Sequence, residues 1–149
     1  MKKFAVIMSV LLGISLVMLG FGCAAGGPSQ ASVEVTYDEF MQNKHISEQV
    51  EVAVDGTLTV TLVSNPTTGF QWSEQAQIGD QTILQQTGHQ FMAPEAKGGT
   101  PPLLGSAGKE VWTFKTLKKG TTTVSMDYSR PWEGGEKGEW TFSLTVVAK

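Results

Sequence analysis

The stretch Glu139-Trp140-Thr141-Phe142-Ser143-Leu144-Thr145-Val146-Val147 alternates residue by residue, and that alternation decides the fold class. Trp140, Phe142, Leu144 and Val146 point one way while Thr141, Ser143 and Thr145 point the other, the period-two signature of a strand with one buried face. Thr122 to Tyr128 repeats it with Val124, Met126 and Tyr128. That segment follows Lys118-Lys119-Gly120, which reads as a hairpin turn out of a strand from Glu110 to Leu117. Val50, Val52 and Val54 alternate, Asp55-Gly56 turns the chain, and Leu58, Val60 and Leu62 alternate again, so a second hairpin is expected there. Further strands are expected over Val33 to Met41, Phe70 to Trp72 and Thr82 to Met92, and no segment sustains a helical period. The sum is an all-β chain, a two-sheet β-sandwich of about seven or eight short strands.

Composition agrees with that reading. Seventeen glycines, six prolines and modest charge favour strands joined by tight turns. At 149 residues the chain holds one ordinary domain. The formal charge is −3, and Lys2 and Lys3 fall in the leader, which leaves −5 for the rest. A nucleic-acid partner, which calls for a basic stripe, is therefore not expected. The single cysteine, Cys23, excludes an intramolecular disulfide framework and a cysteine-based structural zinc site.

Lys2 and Lys3 precede an uncharged apolar run from Phe4 to Gly22, closed by small residues around Gly22-Cys23-Ala24-Ala25. This reads as a secretory signal over residues 1–22. Cys23 directly after it is similar to a bacterial lipobox cysteine, the lipidated first residue of a mature lipoprotein, although Leu19 stands one place too far away and Phe21 is bulky. An uncleaved anchor helix is the alternative. Either reading places the domain outside the cytoplasm, on the cell envelope or surface or secreted, with a membrane contact through the N-terminal lipid or helix. Residues 23–32, with Gly26-Gly27-Pro28-Ser29-Gln30, read as lipid-attachment site and flexible spacer, and 33–149 as the domain.

Three breaks in the strand pattern carry the functional signal. Asn65-Pro66-Thr67-Thr68-Gly69-Phe70 is a polar break in which Pro66 fixes its own φ, biases Asn65 toward an extended conformation, and Gly69 permits a positive φ. An ordinary Pro-Gly turn would read the same way. Residues 93–109 form a long stretch with three prolines and four glycines, a length that in compact domains is usually functional or disordered. Ser129-Arg130-Pro131-Trp132-Glu133 sets a tryptophan and an arginine, the residue types that most often anchor interfaces, in a glycine-rich loop. A Trp132 folded back over the sandwich edge and stacked by Arg130 is the competing reading.

Together these segments resemble the chagasin family of cysteine-protease inhibitors, whose pattern is an NPTTG-type loop, a glycine-rich central loop and an RPW-type loop in this order. The first motif is matched in full by Asn65 to Gly69 with Phe70 following, the last by Arg130-Pro131-Trp132, and the middle one, more loosely, by Gly105-Ser106-Ala107-Gly108. The resemblance spans about Val33 to Ala148. It implies an immunoglobulin-like sandwich with the loops gathered at one end, and reversible, tight-binding inhibition of papain-like cysteine proteases. It further implies that Thr67 and Thr68 lie nearest the protease's cysteine and histidine, flanked by Gly105 to Gly108 and Arg130 to Glu133, with Arg130 offering donors to the protease.

An enzyme has little support. His45 and His89 lack metal-ligand spacing, Asp38-Glu39 and the carboxylates from Glu133 to Glu136 read as solvated, no nucleophile elbow or phosphate loop appears, and no cofactor or metal is expected. A non-inhibitory immunoglobulin-like binding or scaffold module of the cell envelope remains the alternative.

Overall fold

The computed structural model describes residues 26–96 and 98–149, and the leader and Cys23 lie outside them. In chain order the described residues form β1 (Gln30–Glu34), α1 (Tyr37–Gln42), β2 (His45–Val52), β3 (Thr57–Ser64), a 3-10 turn (Pro66–Thr68), β4 (Gln71–Trp72), β5 (Gln77–Ile78), β6 (Leu84–Met92), β7 (Gly108–Thr116), β8 (Gly120–Ser129) and β9 (Trp140–Ala148). One sheet has the order β1-β3-β7-β6 and the other β2-β9-β8-β4, with β5 also paired to β8. The expected two-sheet β-sandwich is thus realised. Two edge pairs, β1 with β3 and β2 with β9, are parallel.

The alternation read from β9 is the one the core uses: Phe142, Leu144 and Val146 are buried between the sheets, opposite Leu58, Val60, Trp112 and Phe114. Each such side chain contributes roughly 1.5–3 kcal/mol by leaving water.

Both expected hairpins are crossings instead. Around Asp55-Gly56 the backbone bonds go elsewhere: Val54 N–H donates to Lys149 O at 2.9 Å and Asp55 N–H to Thr116 O at 3.0 Å, while Gly56 O accepts from Thr116 N–H at 3.0 Å. β2 and β3 therefore belong to opposite sheets, as do β7 and β8 on either side of Lys118-Lys119-Gly120. Two strands that each bury one face can lie side by side or stack across the core, and their period is two in either case.

The strand expected over Val33 to Met41 breaks after Glu34. Thr36 and Glu39 form a capping box, in which Thr36 N–H and Oγ1–H donate to Glu39 Oε2 at 2.9 and 2.7 Å and Glu39 N–H donates to Thr36 Oγ1 at 3.3 Å. These bonds start α1 and hold the Glu39 carboxyl below the usual range. The cap is consequently present at neutral pH and released as pH falls through that lowered value. At the front, the spacer expected over 23–32 is partly sheet: Gln30, Ala31 and Ser32 pair with Thr57, Leu58 and Thr59, and Pro28 O accepts from Ala53 N–H at 2.8 Å. At the start of β6, the strand expected from Thr82 begins at Leu84, because Asp80 receives Thr82 N–H at 2.8 Å and holds a turn there.

The registers define two poles. Val52, Ala148 and Gly120 align at one, where β1 also begins. At the other, β3 ends at Ser64 opposite Gly108, and β8 ends where β9 begins, Tyr128 opposite Trp140. All three sequence breaks leave the sheets at this second pole, as does α1.

Candidate functional site

The first loop is a closed unit. Thr68 N–H donates to Asn65 O at 3.1 Å and Gly69 N–H to Pro66 O at 2.9 Å, winding one 3-10 turn that ends at Gly69 with φ 81°. Asn65 organises it. Its backbone N–H donates to the Tyr128 hydroxyl at 2.8 Å, its Oδ1 accepts from Thr67 Oγ1 at 2.6 Å, and its Nδ2 donates to Gly105 O at 2.9 Å. Thr68 Oγ1 donates back to Asn65 O at 2.7 Å. Pro66, Thr67 and Thr68 are exposed, but both hydroxyl protons bond within the loop, so the two threonines staple it from inside.

The second loop meets the first through that Asn65–Gly105 bond. Ser106 N–H donates to Leu103 O at 3.0 Å and Gly105 has φ 81°, the geometry of a type II turn presenting Leu104 at its corner. Leu103 and Leu104 are 83% and 104% exposed. Ser106 and Ala107 are half-buried, and Gly108 is buried at the start of β7, where a Cβ would lie 2.3 Å from Met92 O. Gly108, expected as a binding residue, instead lets β6 and β7 close.

The third loop lies against the first. A Cβ on Gly69 would stand 2.5 Å from Cη2 of Trp132, so the edge of the indole rests on the glycine backbone. Trp132 remains 51% exposed, which reconciles the two readings of it: it folds back onto a neighbour and still offers half its surface to solvent. Arg130 sits behind, its guanidinium 4.5 Å from the centre of the Phe70 ring and 5.9 Å from that of Trp132, with Nη1 donating to Glu136 at 2.9 Å. The donor fork expected to reach a partner is engaged within the molecule, and Arg130 acts as a brace. Arg130 N–H donates to Glu136 O at 2.8 Å, and Lys137 Nζ donates to Arg130 O and to Trp132 O, the latter at 3.0 Å, so the loop is tied across its base. Pro131 and Glu133 face solvent beside Trp132.

Under the loops lies an aromatic cluster. Phe70 is only 8% exposed and stacks on Tyr128 at 5.4 Å, with Trp140 edge-on at 5.5 Å and Phe40 of α1 stacked on Trp140 at 5.4 Å. Phe70 therefore supports the tip from the core and is not a surface contact. Below the root of the first loop, buried Ser64 donates to Glu110 at 2.6 Å, and the other Glu110 oxygen lies 2.7 Å from His89 Nε2. His45 contacts Thr141 instead, and among the described residues no three potential metal ligands gather.

A model of the chagasin family of peptidase inhibitors, I42, matches residues 51–146. The chain belongs to this family. Amoebiasin-2 of Entamoeba histolytica is 28% identical over 100 residues, covering 67% of this chain and 76% of that protein. Chagasin of Trypanosoma cruzi is 28% identical over 106 residues, covering 70% and 92%. Among solved structures, the cysteine protease inhibitor EhICP2 from Entamoeba histolytica matches the fold with a TM-score of 0.62 at 24% identity, covering 83% of this chain and all of that one. All three loops of the chagasin family pattern fall inside the matched residues, whereas β1 and α1 precede them. The protein is accordingly a peptidase inhibitor and not an enzyme.

Sequence reasoning missed Tyr128, Leu103, Leu104 and Lys137. Only the exposure of two adjacent leucines after Pro101-Pro102 could have been suspected. Tyr128 is the most consequential of them: Tyr128→Phe leaves the Asn65 amide without its acceptor, and we expect about 1–3 kcal/mol of lost stability in urea unfolding together with weaker inhibition. Unchanged stability would show that the hydroxyl does not hold the loop.

Proposed function

We propose that this chain is a reversible, tight-binding inhibitor of papain-like cysteine proteases that occludes the active-site cleft with the loops 65–70, 103–108 and 130–133. One observation carries the reading: the three loops are locked to one another at a single pole, through the Asn65–Gly105 bond and the seat of Trp132 on Gly69. Such an inhibitor performs no chemistry. It fills the cleft with backbone too constrained to offer a carbonyl to the attacking thiolate, and the entropy of ordering the loops is spent in folding instead of at docking.

The test is a titration of the chain freed of its leader against papain and a cathepsin L type enzyme. Stoichiometric, reversible inhibition is expected, with the inhibitor recovered intact afterwards. Absence of inhibition of both enzymes, or cleavage between 65 and 70, overturns the reading. Leu103 and Leu104 enlarge the apolar tip, and the double change Leu103→Ser with Leu104→Ser is expected to weaken inhibition about tenfold or more at unchanged unfolding temperature, because their burial would come only on binding.

The leader belongs to the same proposal: Cys23 carries a lipid and the domain stands outside the cytoplasm. The form of residues 1–25 supports this, and β1 begins at the pole opposite the loops, so an anchor there would leave the inhibitory face pointing away from the membrane. Cys23→Ser should move the protein from the membrane fraction to the soluble fraction.

A further inference from the structure

Large apolar side chains are exposed at this end of the molecule far more than elsewhere. Of those exposed among the described residues, Leu117 alone lies at the pole where the chain enters β1. Leu103, Leu104 and Trp132 belong to the loops already assigned. Phe91 and Met92 at the end of β6, and Tyr37 and Met41, do not; the last two stand on α1, 55% and 58% exposed. Four residues apart, they are neighbours on one side of the helix.

We infer that α1 is a fourth contact element of the inhibitory face, its Tyr37 and Met41 packing on the surface of the bound protease beside the cleft. This rests on the reading of the three loops given above. The support is that α1 and the residues flanking it are tied to the roots of all three. Phe40 stacks on Trp140 and meets Tyr128 edge-on at 5.4 Å, and the Tyr128 hydroxyl holds Asn65 of the first loop. Ahead of the helix, Glu34 pairs with Lys109, the residue after Gly108 at the end of the second loop. Behind it, Lys44 pairs with Glu139 at the end of the third loop and lies 5.4 Å from the centre of the Trp140 ring. The capping box fixes the first turn from Thr36.

A helix of six residues has little stability of its own, so this bracing has to come from the tertiary structure. It holds an exposed tyrosine and methionine in one orientation at the edge of a surface that binds a partner. A protease docked on the three loops is continuous with that edge. Specific interfaces bury about 800 Å² on each partner, and a flanking helix adds to the footprint of the loops.

The experiment compares the native protein with the double variant Tyr37→Ser, Met41→Ser, which leaves the capping residues and Phe40 in place. Inhibition constants and dissociation rates are measured against a papain-like enzyme that the native protein inhibits, alongside unfolding temperature, sedimentation and binding to anionic vesicles. We expect inhibition to weaken about tenfold, mainly through faster dissociation, with unfolding temperature unchanged. An unchanged inhibition constant overturns the inference, whether or not the variant alters self-association or vesicle binding. A loss of inhibition that follows a lowered unfolding temperature overturns it too, since α1 would then serve only the fold. In each of these outcomes the native protein still inhibits, so the three-loop reading stands; failure of the native protein to inhibit any such enzyme defeats that reading instead.

Discussion

Gly69→Val is expected to weaken inhibition by at least about a hundredfold while the sandwich still folds. Two independent obstacles meet at this position. At φ 81° a β-branched side chain is strained by about 1–3 kcal/mol. Any Cβ there would also stand 2.5 Å from the Trp132 ring, so the substitution displaces the third loop as well as the first. The second obstacle needs only one carbon, and Gly69→Ala is therefore expected to do most of the same damage. In a Trp132→Ala background the ring is gone, and the added cost of Gly69→Ala should shrink to that of the backbone strain; a double-mutant cycle of inhibition constants reads this directly. Thr67→Ala, which removes a single hydrogen bond to Asn65, is expected to cost about 1 kcal/mol or less. Circular dichroism separates a folding defect from a binding defect in each variant. If Thr67→Ala proved the more harmful, or if Gly69→Val inhibited normally, loop rigidity would not be the working property.

Trp132→Ala is expected to weaken inhibition by about 2 kcal/mol or more, roughly thirtyfold. Half of the indole faces solvent, and one edge is fixed on Gly69 with the Arg130 guanidinium behind it. An anchor held in this way loses little side-chain entropy on docking, so its apolar surface counts almost fully toward affinity. Because the ring lies outside the core, unfolding temperature should change little. Trp132→Phe keeps the apolar character and loses area, and it should fall between the two. Equal inhibition by native and alanine forms would remove the third loop from the interface.

Arg130 illustrates where residue identity misleads. Its presence in an exposed loop reads as a donor aimed at a partner, yet its fork pairs with Glu136 and its plane covers Phe70. Neither neighbour is suggested by spacing alone, since Phe70 is sixty residues away and is brought close by the pairing of β4 with β8. The helix α1 is a different kind of miss. Its capping box is written locally in Thr36 and Glu39, but Val33, Val35 and Tyr37 alternate into it and favour a strand. Six residues are too few for a helical period to show.

Local sequence determined what can be decided within a few residues: most of the strands and which face of each is buried, where the chain must turn, and that two stiffened loops carry the unusual chemistry of Asn65-Pro66-Thr67-Thr68-Gly69 and Arg130-Pro131-Trp132. The tertiary structure alone decided which sheet each strand joins, turning two expected hairpins into crossings, and which loop touches which. A strand's pattern of two records that one face is buried but not against what, and the partner that covers it is chosen by packing between residues far apart in the chain.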